Sequence, residues 1–408
     1  MVPTTCRRKN MRGQYIIVGG VSKVNIMQEK EFTKWVACHG NATSISDRTE
    51  GIYAKNITFR YPIKMPFDGS KLRFHFSNLT GDEDVTITHA TILKDDTRVV
   101  DITFNNKQSV VLKAGECDCV SDEIEVDIIR GETIDVSLYF ADYTQLNAGT
   151  LITGPLSKGK YAYGDYVNQK DLPLKLTRNT NWFYFLNTID VFTYEDNYAL
   201  VCFGDSITAQ SWPDYLTIRT FEEDYKNVAI IRRAVSGTRI LREYDCITYA
   251  AYGLKGETRF PIEMNVSGAK AVILQHGIND IIHPVGEEVN IFRPWSDMPS
   301  LEDMIEGFSE YYVNHAKSLG LKVYSGTLLP IFGWRTYEPF REELKNQFND
   351  WLKNSTIFDG CIDFDEAVRD SDDPRKFKDG FDSGDHLHPS EAAYKAMAQC
   401  IPTELLCL

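Results

Sequence analysis

Near residue 196 the hydrophobic pattern of this chain changes period, and that change confines it to an architecture of two unlike parts. From about residue 50 to 141 the sequence runs in short alternating segments, among them LRFHFSN, VTITHATIL, EIEVDI and TIDVSLYFA, separated by the turn clusters DGS, TGDED, KAGE and RGET. Alternation at period two in Thr, Val, Ile and aromatic residues marks antiparallel strands with one buried face. About seven such strands predict an all-β sandwich of jelly-roll type. Residues 142–181, rich in Gly, Lys, Tyr and Asn, have no clear period and read as a long connecting loop. WFYFLNTIDVFTY then reads as the last strand of this part.

Past residue 196 the apolar runs are continuous: ALVCF, NVAII, AVILQ and LKVYSGTL. They alternate with helical segments, notably 301–319 and 337–354. Continuous apolar strands joined through helices predict a parallel sheet covered on both faces, with its sites at the carboxyl ends of the strands. The expected fold class is therefore α/β: a three-layer parallel-sheet domain over 196–408, preceded by an all-β domain over 1–195. A length of 408 residues fits two domains.

Charge and composition narrow the partners. With 58 acidic against 44 basic residues and a net charge of −14, no attraction to nucleic acid or to an anionic membrane surface is expected. No apolar run reaches the roughly 20 residues of a membrane helix. The opening MVPTTCRRKNMRGQYIIVGG has a basic start but only a very short apolar segment, so no signal peptide is read and a cytoplasmic location is expected. A secreted form with its signal removed stays open, as does a homo-oligomer. The nine cysteines are scattered and odd in number, and Cys117 and Cys119 lack the second pair that a zinc site would want. Free thiols, no metal and no cofactor are expected.

Four short blocks carry chemistry. In LVCFGDSITAQSW a strand turns at Gly204 and presents Asp205 and Ser206 at the start of a helix. There a serine is either a helix cap or a nucleophile helped by the helix dipole. The Gly-x-Ser-x-Gly elbow of the α/β-hydrolases is absent from the chain. In RRAVSGTRIL, Gly237 lets a backbone N–H approach a ligand closely. In AVILQHGIND, Asn279 offers a neutral side-chain N–H to an oxyanion, flanked by His276 and His283. In DSGDHLHPSEAAYKAMA, Asp385 and His388 stand three apart, and Pro389 with Ser390 opens a last helix. A carboxylate so placed can orient an imidazole toward a nucleophile, and by chemistry alone His386 competes with His388 as the base.

GDSIT, SGT, GIND and DHLHP in that order resemble the SGNH hydrolase superfamily, the GDSL esterases and lipases, over about residues 196–408. The resemblance implies Ser206 as nucleophile and first oxyanion donor, Gly237 and Asn279 as the other donors, and Asp385 with His388 as acid and base. It favours His388 over His386, because the family histidine stands three after the aspartate and usually before proline. Ile207 replaces the leucine of the GDSL name, a volume-conserving change, and His276 precedes the Gly-x-Asn-Asp block. More loosely, IYAKNITFRYPIKMPFDGSKLRFHFSNLTGDEDVTITHATI is similar to the β-domain of two-domain SGNH acylhydrolases, several of which deacetylate plant polysaccharides or their oligosaccharides.

The expectation is a metal-independent serine esterase for short acyl groups, chiefly O-acetyl on plant polysaccharide-derived oligosaccharides. Absence of a long apolar lid points away from lipids, and Trp334, Tyr337 and His276 are candidate substrate contacts. The alternatives are a GDSL-type acylhydrolase of lipid or small aryl esters, and a non-catalytic glycan-binding protein. A metal-dependent phosphoesterase is disfavoured, since Asp379, Asp382 and Asp385 lack calcium-loop spacing.

Overall fold

Strands form where the alternation is cleanest. In Gly69–Phe76 the side chains of Leu72, Phe74 and Phe76 are buried and those between them reach the surface. The computed structural model describes residues 31–45, 53–95, 98–244 and 246–408; the opening segment read as lacking a signal peptide lies outside them. Up to residue 194 the described chain is strand-rich, with two main antiparallel sheets. One runs Phe32–Gly40, Leu186–Tyr194, Gly69–Phe76 and Cys119–Val120, with Ile124–Ile128 also paired to Gly69–Phe76. The other runs Arg178–Thr180, Gly159–Tyr163, Ile57–Lys64, Thr133–Phe140, His89–Lys94 and Arg98–Ile102.

Two expectations need correction here. The stretch 142–181 is not a plain loop: Gly159–Tyr163 joins the second sheet, with Tyr161 opposite Phe59 and Tyr163 opposite Ile57, and Arg178–Thr180 pairs beyond it. A strand of five residues is too short to declare a period, and the partner that supplies its ladder lies about 100 residues away. The segment between those strands is anchored by Arg60, whose guanidinium donates to the carbonyls of Tyr166, Gln169 and Lys170. WFYFLNTIDVFTY is two strands rather than one. Phe185 takes a left-handed φ of 61°, sending Trp182–Tyr184 to pair with Ala148–Leu151 while Leu186–Tyr194 enters the first sheet.

From residue 198 a parallel sheet runs in the order Val228–Ala234, Tyr198–Gly204, Ala269–Gln275, Lys322–Gly326, Gly360–Ile362. Every residue of Tyr198–Gly204 is buried, which is why that run reads as continuously apolar. Gly360–Ile362, only three residues long, carries no periodic signal in the sequence. Helical structure continues from Leu301 to Ser318 through a π-helical turn at Phe308–Val313, opened by a Ser300–Asp303 capping box. The second expected helix is Pro339–Asn354, with proline in its first turn.

Buried polar bonds join the strand-rich region to the parallel sheet. The Arg233 guanidinium donates to the carbonyls of Asn41 and Asn187 and to Thr188 Oγ1. Asp190, fully buried, accepts from Arg73 and from Ser267 at 2.7 Å each. Among the described residues, all eight cysteines are free and no helix is long and apolar enough to cross a membrane.

Candidate active site

The strand Tyr198–Gly204 ends where it must pass close to its neighbour: a Cβ at Gly204 would overlap the Gln275 carbonyl and the Thr208 side chain. The chain then turns into the short helix Ser206–Ala209, whose N-cap is Asp205, accepting from the Ile207 N–H at 3.0 Å. Because Asp205 caps, the Ser206 hydroxyl is released from that duty. It lies 2.9 Å from Nε2 of His388, a residue 182 positions later in the chain.

The loop that carries His388 is organised by Asp385. One oxygen, Oδ1, accepts from the backbone N–H groups of His388 at 2.8 Å and Leu387 at 3.0 Å and from Ser383 Oγ at 3.2 Å. The other, Oδ2, meets His388 Nδ1 at 2.6 Å. Burial opposes ionisation of Asp385, but the hydrogen bonds from the His388 ring and from the two backbone N–H groups outweigh it and hold its carboxyl below the usual range. An ionised carboxylate only accepts, so Nδ1 carries the hydrogen and Nε2 is left to accept from Ser206. His386 is occupied elsewhere: its Nδ1 pairs with Asp382 at 2.5 Å and its ring lies against Gly333. This block does not follow a strand, contrary to the expectation that the sites lie at the carboxyl ends of strands; it sits in the loop before Glu391–Cys400, closed by a bridge between Asp382 and Pro389.

Gly237 and Asn279 follow the strands Val228–Ala234 and Ala269–Gln275. Gly237 has φ +81°, and a Cβ there would overlap the Tyr252 ring. Among the described residues the backbone N–H groups of Ser206 and Gly237 donate to no protein acceptor. Asn279 is buried and gives one hydrogen of its amide to the Thr238 carbonyl at 3.0 Å, leaving the other for a ligand.

His276 corrects its assignment as a substrate contact. It is fully buried, with Nε2 against the Thr238 carbonyl at 3.0 Å and Nδ1 against the Tyr312 hydroxyl at 2.8 Å. Burial, with help from Arg259, pushes its pKa down to about 3, so it is a neutral brace beneath the Gly237 turn. His283 is likewise buried and bonded to the Tyr244 hydroxyl at 3.0 Å. Trp334 and Tyr337 lie half-buried on the segment that follows Gly333, next to His386.

Sequence reasoning passed over the group that ties these blocks together. Arg259, buried and paired with Glu263 at 2.9 Å, donates to the Gly204 carbonyl, to the Arg233 carbonyl and to Thr238 Oγ1. One guanidinium thereby pins two strand ends and the Gly237 turn. The i,i+4 spacing of Arg259 and Glu263 is visible in GETRFPIE, but such pairs usually lie on a solvated face. Asp280 does the same for the third block, accepting from the Ile240 and Leu241 N–H groups at 2.7 and 3.1 Å. Burial lifts the Asp280 carboxyl to about 6 against those two donors. Burial lifts Asp205 further, to about 7, opposed by the Ile207 N–H and Arg259. Among the described residues no cluster of three or more His, Cys, Asp or Glu could hold a metal ion.

Residues 200–401 match the family model of the GDSL-like lipase/acylhydrolases. They form a GDSL acylhydrolase domain. The match spans all four blocks, from the turn into Ser206 to the helix after His388. Among solved structures the chain is similar to LAE5, an alpha/beta hydrolase enzyme from the metagenome of Lake Arreo, Spain, at 14% identity over 51% of this chain and 94% of that one, with a TM-score of 0.38. It is also similar to Axe2, an acetylxylan esterase from Geobacillus stearothermophilus, at 15% identity over 52% of this chain and 97% of that one, with a TM-score of 0.37. No curated protein matches the chain.

Proposed function

We propose that this protein is a serine esterase that removes short acyl groups, chiefly O-acetyl, from carbohydrate. The observation that carries the reading is the chain of hydrogen bonds Ser206 Oγ to His388 Nε2 and His388 Nδ1 to Asp385 Oδ2, at 2.9 and 2.6 Å. His388 takes the Ser206 proton as Oγ attacks the ester carbonyl, Asp385 stabilises the imidazolium, and the N–H groups of Ser206 and Gly237 with the Asn279 amide hold the oxyanion. His388 then gives its proton to the leaving alcohol. Water, deprotonated by the same imidazole, adds to the acyl-enzyme; the tetrahedral adduct collapses, the acid leaves, and Ser206 regains its proton.

The preference for a sugar ester rests on the surroundings. An open cleft of about 680 Å³ adjoins the site, bounded by Gln210 and Ser211 after the Ser206 helix and by Ser383 and Pro389 around His388. Its lining includes the amides of Asn181 and Gln210 and the hydroxyls of Ser211, Ser383 and Ser390, with Lys158 and Glu391 beside them, a set with more hydrogen-bonding groups for a polyol than for an acyl chain. We read the region before residue 196 as a separate sandwich domain of jelly-roll type.

Ser206→Ala is expected to abolish release of acetate from an aryl acetate; retained turnover refutes the nucleophile. Rates on aryl esters of graded length are expected to be highest at two carbons, and a maximum at eight or more would replace the acetyl reading with a lipid one. Inactivation by a serine-directed phosphonate, with indifference to chelator, separates this esterase from a metal-dependent phosphoesterase.

A further inference from the structure

The strand-rich region carries a second cleft that the chemistry at Ser206 does not require. It has a volume of about 400 Å³, within the range of small-ligand sites. Its aromatic wall is built by strand periodicity: Tyr161 and Tyr163 stand two apart on Gly159–Tyr163, and Trp182 and Tyr184 two apart on Trp182–Tyr184. Phe59 and Tyr184, buried and 5.1 Å apart between ring centres, form its floor. Tyr161 packs on Phe59 at 5.8 Å, Tyr163 stands edge-on to Tyr161 at 6.3 Å, and Trp182 stacks on Tyr184 at 6.0 Å with 15° between the planes.

The upper part of this wall is open to solvent. Tyr163 is 59% exposed and Tyr53, across the cleft, 44%. Thr180, opposite Gly159, stands on the same sheet face as Tyr161 and Tyr163, Asn179 and Asn181 also line the cleft, and none of the described lining residues is charged. Flat rings beside uncharged amides and hydroxyls fit a ligand with apolar faces and a rim of hydroxyl groups. A phosphate or anionic headgroup would find no cation among these side chains, and an acyl chain would offer the polar ones no hydrogen bond.

Two neighbouring clefts each share one lining residue with the aromatic cleft. Asn181 lines both it and the open cleft bounded by Gln210, Ser211, Ser383 and Pro389. Trp182 lines both it and a third cleft of about 290 Å³ that reaches Ser236 and Tyr252 beside the Gly237 turn. The ridge Asn181–Trp182 thus stands between the aromatic cleft and two clefts lined by chain neighbours of Gly237 and of His388.

We propose that the aromatic cleft is a binding groove for a neutral sugar chain, which stacks on Tyr163 and Trp182, bonds to Thr180 and Asn181, and is led by that ridge toward Ser206. The groove deepens the esterase reading and rests on it only for the direction of the chain, not for binding itself.

Isothermal titration of the full chain with unacetylated xylo-, cello- and manno-oligosaccharides of two to six sugars tests the groove without any hydrolysis. Affinity for at least one series is expected to rise with length, and to fall about five- to tenfold in Tyr163→Ala and Thr180→Val. Tyr143→Ala, at a tyrosine of the same region that is 75% exposed and outside the groove, is the control that keeps the affinity. With acetylated forms of the series that binds, kcat/KM is expected to rise with length in the parent protein and to flatten in Tyr163→Ala. Absence of binding to all three series, or equal affinity in Tyr163→Ala, overturns the groove. Failure of the esterase reading shows differently: no ester is cleaved, the aryl acetate included, while the titration still reports the groove.

Discussion

Asp385→Asn tests the site at the level of a single hydrogen. Oδ1 of Asp385 is held by the N–H groups of His388 and Leu387 at 2.8 and 3.0 Å, and both can only donate. An asparagine placed there must keep its carbonyl oxygen on those donors, which puts its amide nitrogen where Oδ2 was, 2.6 Å from His388 Nδ1. That nitrogen donates, so Nδ1 must accept and the ring hydrogen moves to Nε2, facing Ser206. The imidazole then holds the wrong tautomer and cannot take the serine proton. In the Ser-His-Asp triad of a serine protease such an exchange lowers kcat by about 10⁴-fold, about 5 kcal/mol on the barrier, and a loss of that order is expected here. Both backbone bonds survive, so the urea midpoint is expected to move little, whereas Asp385→Ala strands those donors at a cost of about 1 kcal/mol. Acetate release from an aryl acetate, with unfolding measured on the same preparations, reads both effects. An Asp385→Asn protein that keeps more than a tenth of the parent kcat refutes the tautomer mechanism.

Three further outcomes follow from the same geometry. Asn279→Ala is expected to lower kcat on an aryl acetate about 10²- to 10³-fold with little change in KM, and an effect confined to KM would remove Asn279 from the oxyanion site. Gly237→Ala places a side chain at φ +81° against the Tyr252 ring; urea unfolding is expected to show a loss of about 1–2 kcal/mol from the left-handed backbone plus the clash, with Tyr252→Ala relieving only the clash. Asp205 has a folded pKa of about 7 against an ordinary 3.8, so the folded state binds the extra proton and stability is lost as pH rises from about 4 through about 7. Asp205→Asn removes that loss, and its gain in melting temperature should be larger at pH 8 than at pH 5; a gain that is equal or reversed contradicts the raised pKa.

Features that depend on near neighbours were legible in the sequence. The period change near residue 196, the continuous apolar strand before Gly204, the last helix after Ser390 and the order of the four blocks all rest on contacts within a few residues, which periodicity and capping report. Short strands were not legible: Gly159–Tyr163 is defined by a partner about 100 residues away, and the aromatic wall it builds was hidden in a segment that read as loop. The same limit applies inside the site. Local chemistry left Ser206 between cap and nucleophile and left His386 and His388 as rivals. Only the tertiary structure bears on either choice: it puts the cap on Asp205, gives His386 to Asp382, and brings His388 to Ser206 across 182 residues. Arg259 is the sharpest case: an i,i+4 pair that ordinarily faces solvent is buried here to join three chain segments. Sequence alone therefore determined which chemical groups the chain brings to one domain. Which of them touch was decided only by the fold, since a hydrogen bond depends on direction and distance in space and neither is written in residue spacing once the partners lie in different elements.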